Sequence, residues 1–258
     1  LFSLVAIFFQ WLNSLYQMPS PIWLFDLDNT LHNASHAIFP AINANMNAFM
    51  ARVLGDGDTP ADPETVNAAR LAYWKRYGAT LLGMVKHHNV RMEDFLHEAH
   101  IFEDLGSMIR AERGLGRLLR RLPGRKILLT NAPRRYSRDV MRHLGLHRHF
   151  AQHIPIESMR VHGQLRPKPS KHLLRKLLAK EGVSARRCIL VEDTADNLKA
   201  AKALGMRTAW VTQYLASSPN LRQLAGGRPI PRFTKRPIFV DVKVQSVRQL
   251  PEMLHRLR

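Results

Sequence analysis

An apolar stretch, Ile22-Trp-Leu-Phe, runs directly into Asp26-Leu-Asp28-Asn-Thr30. Side chains alternate along a strand, so residues two apart leave it on the same side. Asp26 and Asp28 are therefore expected together at the carboxyl end of a buried strand, where open α/β sheets bind their ligands. Two carboxylates held that close repel each other unless a cation or a proton lies between them. Such a pair is suited to holding a metal ion or to trading protons with a substrate.

Three further segments with chemical potential follow in order. Leu128-Leu-Thr130-Asn131-Ala132 is an apolar run ending in a hydroxyl that can hydrogen-bond an anion. In Arg166-Pro-Lys168-Pro, flanking prolines stiffen the backbone and aim a lysine. Leu190-Val191-Glu192-Asp193-Thr194-Ala-Asp196-Asn197 ends a second apolar run in carboxylates and opens a helix.

The elements that must position these groups are legible in the hydrophobic pattern. Short apolar runs at 22–25, 126–130, 153–156, 188–191, 208–212 and 239–244 suit a parallel sheet with helical crossovers. Helical spacing joins Leu115, Leu118, Leu119 and Leu122 before Pro123-Gly124. It also joins Leu173, Leu174, Leu177 and Leu178 before Gly182, and Leu198, Ala201 and Leu204 before Gly205. The long interval after the first strand reads as helices at 41–54, 63–76, 80–88 and 92–97. Structureless loops of that length are rare, so the interval is expected to be an inserted helical lid.

The four ordered motifs resemble those of the haloacid dehalogenase-like hydrolase superfamily, from about Pro21 to Gly205. Within it, Tyr73-Trp-Lys-Arg-Tyr-Gly78, Leu82-Gly-Met84, Leu-Thr-Asn-Ala132 and Arg-Pro-Lys-Pro-Ser170 are similar to the pyrimidine 5′-nucleotidase group. The resemblance implies an α/β fold with a Rossmann-like parallel sheet core and a helical cap inserted after the first strand. The core would span 18–31 and 110–258, and the cap 32–109.

It also implies roles. Asp26 would attack phosphorus to give an aspartyl-phosphate, and Asp28 would serve as general acid and then base. Thr130 and Asn131 would bind the phosphoryl group, with Lys168 as a fixed positive charge. Mg²⁺ would be held by the Asp26 side chain, the Asp28 backbone carbonyl and Asp193, an oxygen set suited to that ion. Glu192 stands where Gly or Asp is commoner; whether it meets the metal directly or through water stays open, and Asn197 would support the site from outside. The implied activity is phosphomonoester hydrolysis, with nucleoside monophosphates as the expected substrates. Sugar phosphates or pyridoxal phosphate are the enzymatic alternatives. Dehalogenation is disfavoured, because that branch lacks the acid/base aspartate that Asp28 supplies.

Tyr73, Trp74 and Tyr77 in the cap are either a stacking surface for a nucleobase or helix packing. The histidines, His87-His88 and His143 to His153 in particular, lack a carboxylate at matching spacing and read as surface residues.

Composition bounds the rest. The 258 residues are 45% hydrophobic and 8% aromatic, enough for a full core. One cysteine, Cys188, excludes an intrachain disulfide and a cysteine metal cluster, and fits a reducing cytoplasm. The formal charge of +19 is uneven: residues 110–187 hold 21 Lys/Arg against 4 Asp/Glu, whereas 32–109 hold 6 against 9. That field attracts anionic substrates, or belongs to a nucleic-acid-binding protein on a phosphatase-like core. No RNA-binding aromatic signature or zinc spacing accompanies it, so a small phosphorylated metabolite is the expected partner and a specific nucleic acid is not. The uncharged residues 1–17 are too short and interrupted to span a membrane and read as an extension; a membrane role would require them to act as an anchor. Residues 226–232, within the basic stretch 213–236, read as an exposed loop.

Overall fold

The computed structural model describes residues 20–215 and 236–257; the expected extension at 1–17 and the loop at 226–232 lie outside the described residues. Six strands form one sheet: β1 (Ile22–Phe25), β2 (Arg125–Leu129), β3 (Gln152–Ile154), β6 (Cys188–Glu192), β7 (Arg207–Val211) and β8 (Val242–Val244). Their order is β3-β2-β1-β6-β7-β8, and every neighbouring pair is parallel. A two-stranded antiparallel hairpin, β4 (Arg160–Val161) with β5 (Gln164–Leu165), stands apart. Its tight turn at His162-Gly163, both at positive φ, was not anticipated from the apolar runs because the strands are too short to show a period.

Between β1 and β2 lie α1 (Ile38–Leu54), α2 (Pro63–Tyr77), α3 (Thr80–His87), α4 (Met92–Ala99), α5 (Leu105–Met108) and α6 (Leu115–Arg121). The first four share a buried cluster centred on Met50, Val66, Met84, Phe95 and Leu96, which Ile156 joins from beyond β3. Local signals set their limits. Asp62 caps α2 by accepting from the backbone N–H groups of Glu64 and Thr65 at 2.9 Å each, Pro63 opens it, and Gly78 ends it at φ 78°. Beyond β2 come α7 (Arg134–His143), α8 (Lys171–Glu181) and α9 (Ala195–Lys202). Helix α7 escaped the apolar pattern because three scattered residues, Tyr136, Val140 and Met141, carry most of its buried face amid arginines.

The central strand is buried on both faces, as parallel sheets require. Trp23 and Phe25 pack toward Leu115, Leu118, Leu119, Tyr136 and Val140. Ile22 and Leu24 pack toward Leu173, Leu174, Leu177 and Leu198 on the other side. Burying a large apolar side chain contributes about 1.5–3 kcal/mol, so this register is strongly specified. Phe25 lies level with Leu128 on one side and Val191 on the other. The segments that leave these three strands therefore emerge from one edge.

Candidate active site

At that edge Asp26 is buried and anchored through its backbone N–H, which donates to the Val191 carbonyl at 3.0 Å. Its two carboxylate oxygens have different partners. Oδ2 accepts from the Thr30 hydroxyl at 3.1 Å, and Oδ1 accepts from Lys168 Nζ at 2.6 Å. The same ammonium donates to Glu192 Oε2 at 2.7 Å. Lys168 is carried in by the segment between β5 and α8. Its own main chain is held by Asn131, whose Oδ1 accepts from the Lys168 N–H at 3.0 Å and whose Nδ2 donates to its carbonyl at 3.1 Å. Thr130 follows β2 and is buried. Its Oγ1 accepts from the Ala132 N–H at 3.1 Å, which leaves the hydroxyl proton available to a substrate oxygen.

Carboxylate oxygens of Asp26, Glu192 and Asp193 lie within 4.8 Å of one another. Three carboxylates, buried at Asp26 and Glu192 and half-buried at Asp193, thus gather beside one ammonium that pairs with the first two. Burial, then the charge of Glu192, pushes the Asp26 carboxyl up to about 7 against the pull of Lys168. Burial and Glu192 likewise hold Asp193 well above the usual carboxylate range. Burial alone would lower the Lys168 ammonium, but the charges of Asp26 and Glu192 outweigh it and raise it. A cluster so short of positive charge, built from oxygen donors alone, fits a hard divalent cation such as Mg²⁺. Glu192 also accepts from the Thr194 N–H at 3.2 Å, and Asn197 is buried in the first turn of α9.

Asp28 stands beside this cluster, and its charge is a further contribution to the raised Asp26. Its Oδ1 lies 2.8 Å from His32 Nε2 and accepts from the Tyr136 hydroxyl at 2.5 Å. Neither partner was expected from the sequence. His32 is fully buried, unlike the surface histidines expected of this chain, and the signal for it was present: a carboxylate four residues earlier. Tyr136 lies on the unanticipated helix α7, so no local signal pointed to it.

Tyr73 and Tyr77 of the helical insertion have partners within that insertion. Tyr73 stacks on His87 and its hydroxyl meets His88, while Tyr77 meets His87 Nε2 at 2.6 Å. Trp74 is 49% exposed. Among the described residues, the ring contacts and hydrogen bonds of Tyr73 and Tyr77 all stay within the cap. A cavity of about 430 Å³ lies between α4 and α7, lined in part by His97, His100, Phe102, Arg135, Tyr136 and Glu157.

A central parallel strand ending in a buried aspartate, a lysine bridging it to a second carboxylate, and a helical insertion between β1 and β2 define a class of α/β hydrolase. The model of the haloacid dehalogenase-like hydrolase family matches residues 22–205, and the chain belongs to that family. It is therefore an enzyme, a hydrolase. It is similar to a 5′-nucleotidase of Pseudomonas aeruginosa, 26% identical over 210 residues that cover 78% of this chain and 87% of that protein. Among solved structures it resembles a HAD phosphatase from Thermococcus onnurineus, with a TM-score of 0.59 and 15% identity over 91% of this chain and 97% of that one. A 2-haloacid dehalogenase from Pseudomonas syringae gives a TM-score of 0.55 at 19% identity, over 93% of this chain and all of the other. These structural likenesses establish the fold. Among the described residues no helix is long and apolar enough to cross a membrane.

Proposed function

We propose that this hydrolase is a Mg²⁺-dependent phosphomonoesterase that works through an aspartyl-phosphate on Asp26, with nucleoside monophosphates as its substrates. The observation that carries the reading is the placement of Lys168 Nζ between Asp26 Oδ1 and Glu192 Oε2 beside Asp193. Phosphoryl transfer asks for charge neutralisation, an in-line nucleophile and a proton for the leaving oxygen, and the residues here divide those tasks. The similarity to the Pseudomonas aeruginosa 5′-nucleotidase supports a nucleotide as the substrate, with a nucleoside as the leaving part. The single buried cysteine supports a reducing, cytoplasmic setting.

In this reading an Asp26 carboxylate oxygen attacks phosphorus, the bond to the leaving oxygen breaks, and that oxygen takes the proton of Asp28. Lys168 holds the nucleophile in place and balances charge, and the Thr130 hydroxyl donates to a phosphoryl oxygen. Water then attacks the same phosphorus, returns a proton to Asp28 and restores the Asp26 carboxylate as phosphate leaves. Asp26, Asp193 and the Asp28 carbonyl would hold Mg²⁺, which when bound neutralises phosphoryl charge.

Phosphate release from nucleoside monophosphates, sugar phosphates, pyridoxal phosphate and p-nitrophenyl phosphate, with and without Mg²⁺, tests the proposal. Metal-dependent release with the highest kcat/KM on nucleotides is the expected result. Preference for a sugar phosphate or pyridoxal phosphate would move the substrate assignment, and no release from any of them would refute the reading.

A further inference from the structure

The turn after β1 brings His32 back onto Asp28. The backbone N–H of Leu31 donates to the Leu27 carbonyl at 2.8 Å, and Asn29 adopts φ 58° while its side chain exchanges hydrogen bonds with Ser35 at 2.8 and 3.1 Å. Asn tolerates the left-handed conformation better than most residues, so the turn is held in a shape that returns the chain. Tyr136 arrives from α7, 108 residues later, with its ring packed against His100 and Phe102.

Both partners converge on one oxygen of Asp28. Tyr136 donates its hydroxyl proton to Oδ1 at 2.5 Å, an atom that can only accept. His32 Nε2 faces the same atom, whereas His32 Nδ1 is buried with no hydrogen-bond partner. A buried N–H without an acceptor is costly. The favoured neutral tautomer therefore carries its proton on Nε2, where Asp28 accepts it. Among the described residues Oδ2 has no hydrogen-bond partner, and the Asp28 side chain keeps 15% of its exposure while His32 keeps none.

We infer that His32 and Tyr136 are positioning residues that clamp Asp28 through Oδ1 and so assign all of its proton traffic to Oδ2. The inference rests on the phosphomonoesterase reading, in which Asp28 must give a proton to the leaving oxygen and later take one from water. An acid that does both needs one oxygen free of other hydrogen bonds and aimed at the substrate. Two donors on Oδ1 occupy the other oxygen and fix the carboxyl plane, which removes a rotational freedom that transfer would otherwise have to overcome.

The test compares substrates that differ in their need for that proton. An alkyl leaving group, as in a nucleoside 5′-monophosphate, requires protonation as it departs; p-nitrophenolate does not. Tyr136→Phe and His32→Met are expected to lower kcat/KM for the nucleotide by about 10- to 100-fold, with KM nearly unchanged and p-nitrophenyl phosphate affected by less than about threefold. His32→Gln, which keeps an N–H donor, should recover part of what His32→Met loses. In an Asp28→Asn background Tyr136→Phe should add less than about threefold, because its effect passes through Asp28. Equal losses on both substrates, or full additivity in the double variant, would overturn the clamp while leaving the phosphatase reading intact. If the wild-type protein released phosphate from neither substrate, both would fall together.

Discussion

Asn131 grips the main chain of Lys168 at both of its polar atoms, at 3.0 and 3.1 Å, across 37 residues of sequence. The second motif thereby aims the third: the side chain that follows β2 fixes the backbone from which the lysine reaches Asp26. Asn131→Ala should leave the fold in place but loosen Lys168, lowering kcat by roughly 10-fold or more, since misplacement of about 1 Å costs on that scale. Steady-state kinetics on p-nitrophenyl phosphate would show this, and wild-type turnover in the variant would mean that the prolines alone aim the lysine.

In the proposed mechanism Asp26→Asn removes the nucleophile while keeping shape. Turnover should drop by roughly 10³-fold or more, and acid-quenched protein incubated with labelled substrate should carry no phosphoryl group. Retention of more than a tenth of the activity would move the nucleophile elsewhere.

The roles of Asp28 and Asp193 separate by metal dependence. Asp193→Asn should weaken Mg²⁺ binding, and excess Mg²⁺ should restore part of its activity. Asp28→Asn should lose turnover with metal affinity nearly unchanged, because only its backbone carbonyl would reach the ion. Titration of Mg²⁺ against activity in both variants checks this, and the reverse pattern would exchange the two assignments.

Metal-free protein should lose stability as pH rises. The Asp26 carboxyl is raised from its ordinary 3.8 to about 7, so between those values the folded form keeps a proton that the unfolded form has released. Folding then binds protons, its contribution is complete below the unfolded value, and it is lost as pH climbs toward the folded one. Mg²⁺ would bind the ionised cluster, so its protection should be larger at pH 8 than at pH 5. At a hundredfold excess over Kd it should lift Tm by roughly 5–10 °C at the higher pH. Thermal melts at both pH values, with and without Mg²⁺, supply the measurement; equal protection at both would count against a metal at these carboxylates.

Gly83 of α3 packs directly against the Tyr73 ring of α2. A Cβ there would lie 2.1 Å from the Tyr73 ring, so Gly83→Ala forces either the ring or α3 to move. A loss of about 1–3 kcal/mol is expected, read as a lower urea midpoint. An unchanged midpoint would show that Tyr73 has room to turn aside.

Much of this enzyme is written locally. The apolar runs of β1, β2, β6 and β7 are continuous because parallel strands are buried on both faces, and that continuity exposes them in the sequence. The carboxylates of Asp26 and Asp193 follow directly on two of those runs, and Lys168 is framed by prolines, so these groups were visible as motifs. Glycine and proline punctuation likewise marks out α2 and α8 in the sequence. What the sequence could not state is which residue of one motif touches which residue of another. The bridge of Lys168 to both Asp26 and Glu192, the hold of Asn131 on Lys168, and the arrival of Tyr136 at Asp28 span 24 to 142 residues. Their geometry depends on sheet order, and strand order leaves no periodic trace in a chain. Even the short link from Asp28 to His32 required the fold, because burial turned an ordinary histidine into a partner of the acid. The chain itself determined the chemical groups and the strands that carry them. Tertiary structure decided how they are paired, because a hydrogen bond is set by distances of a few ångströms that sequence separation does not encode.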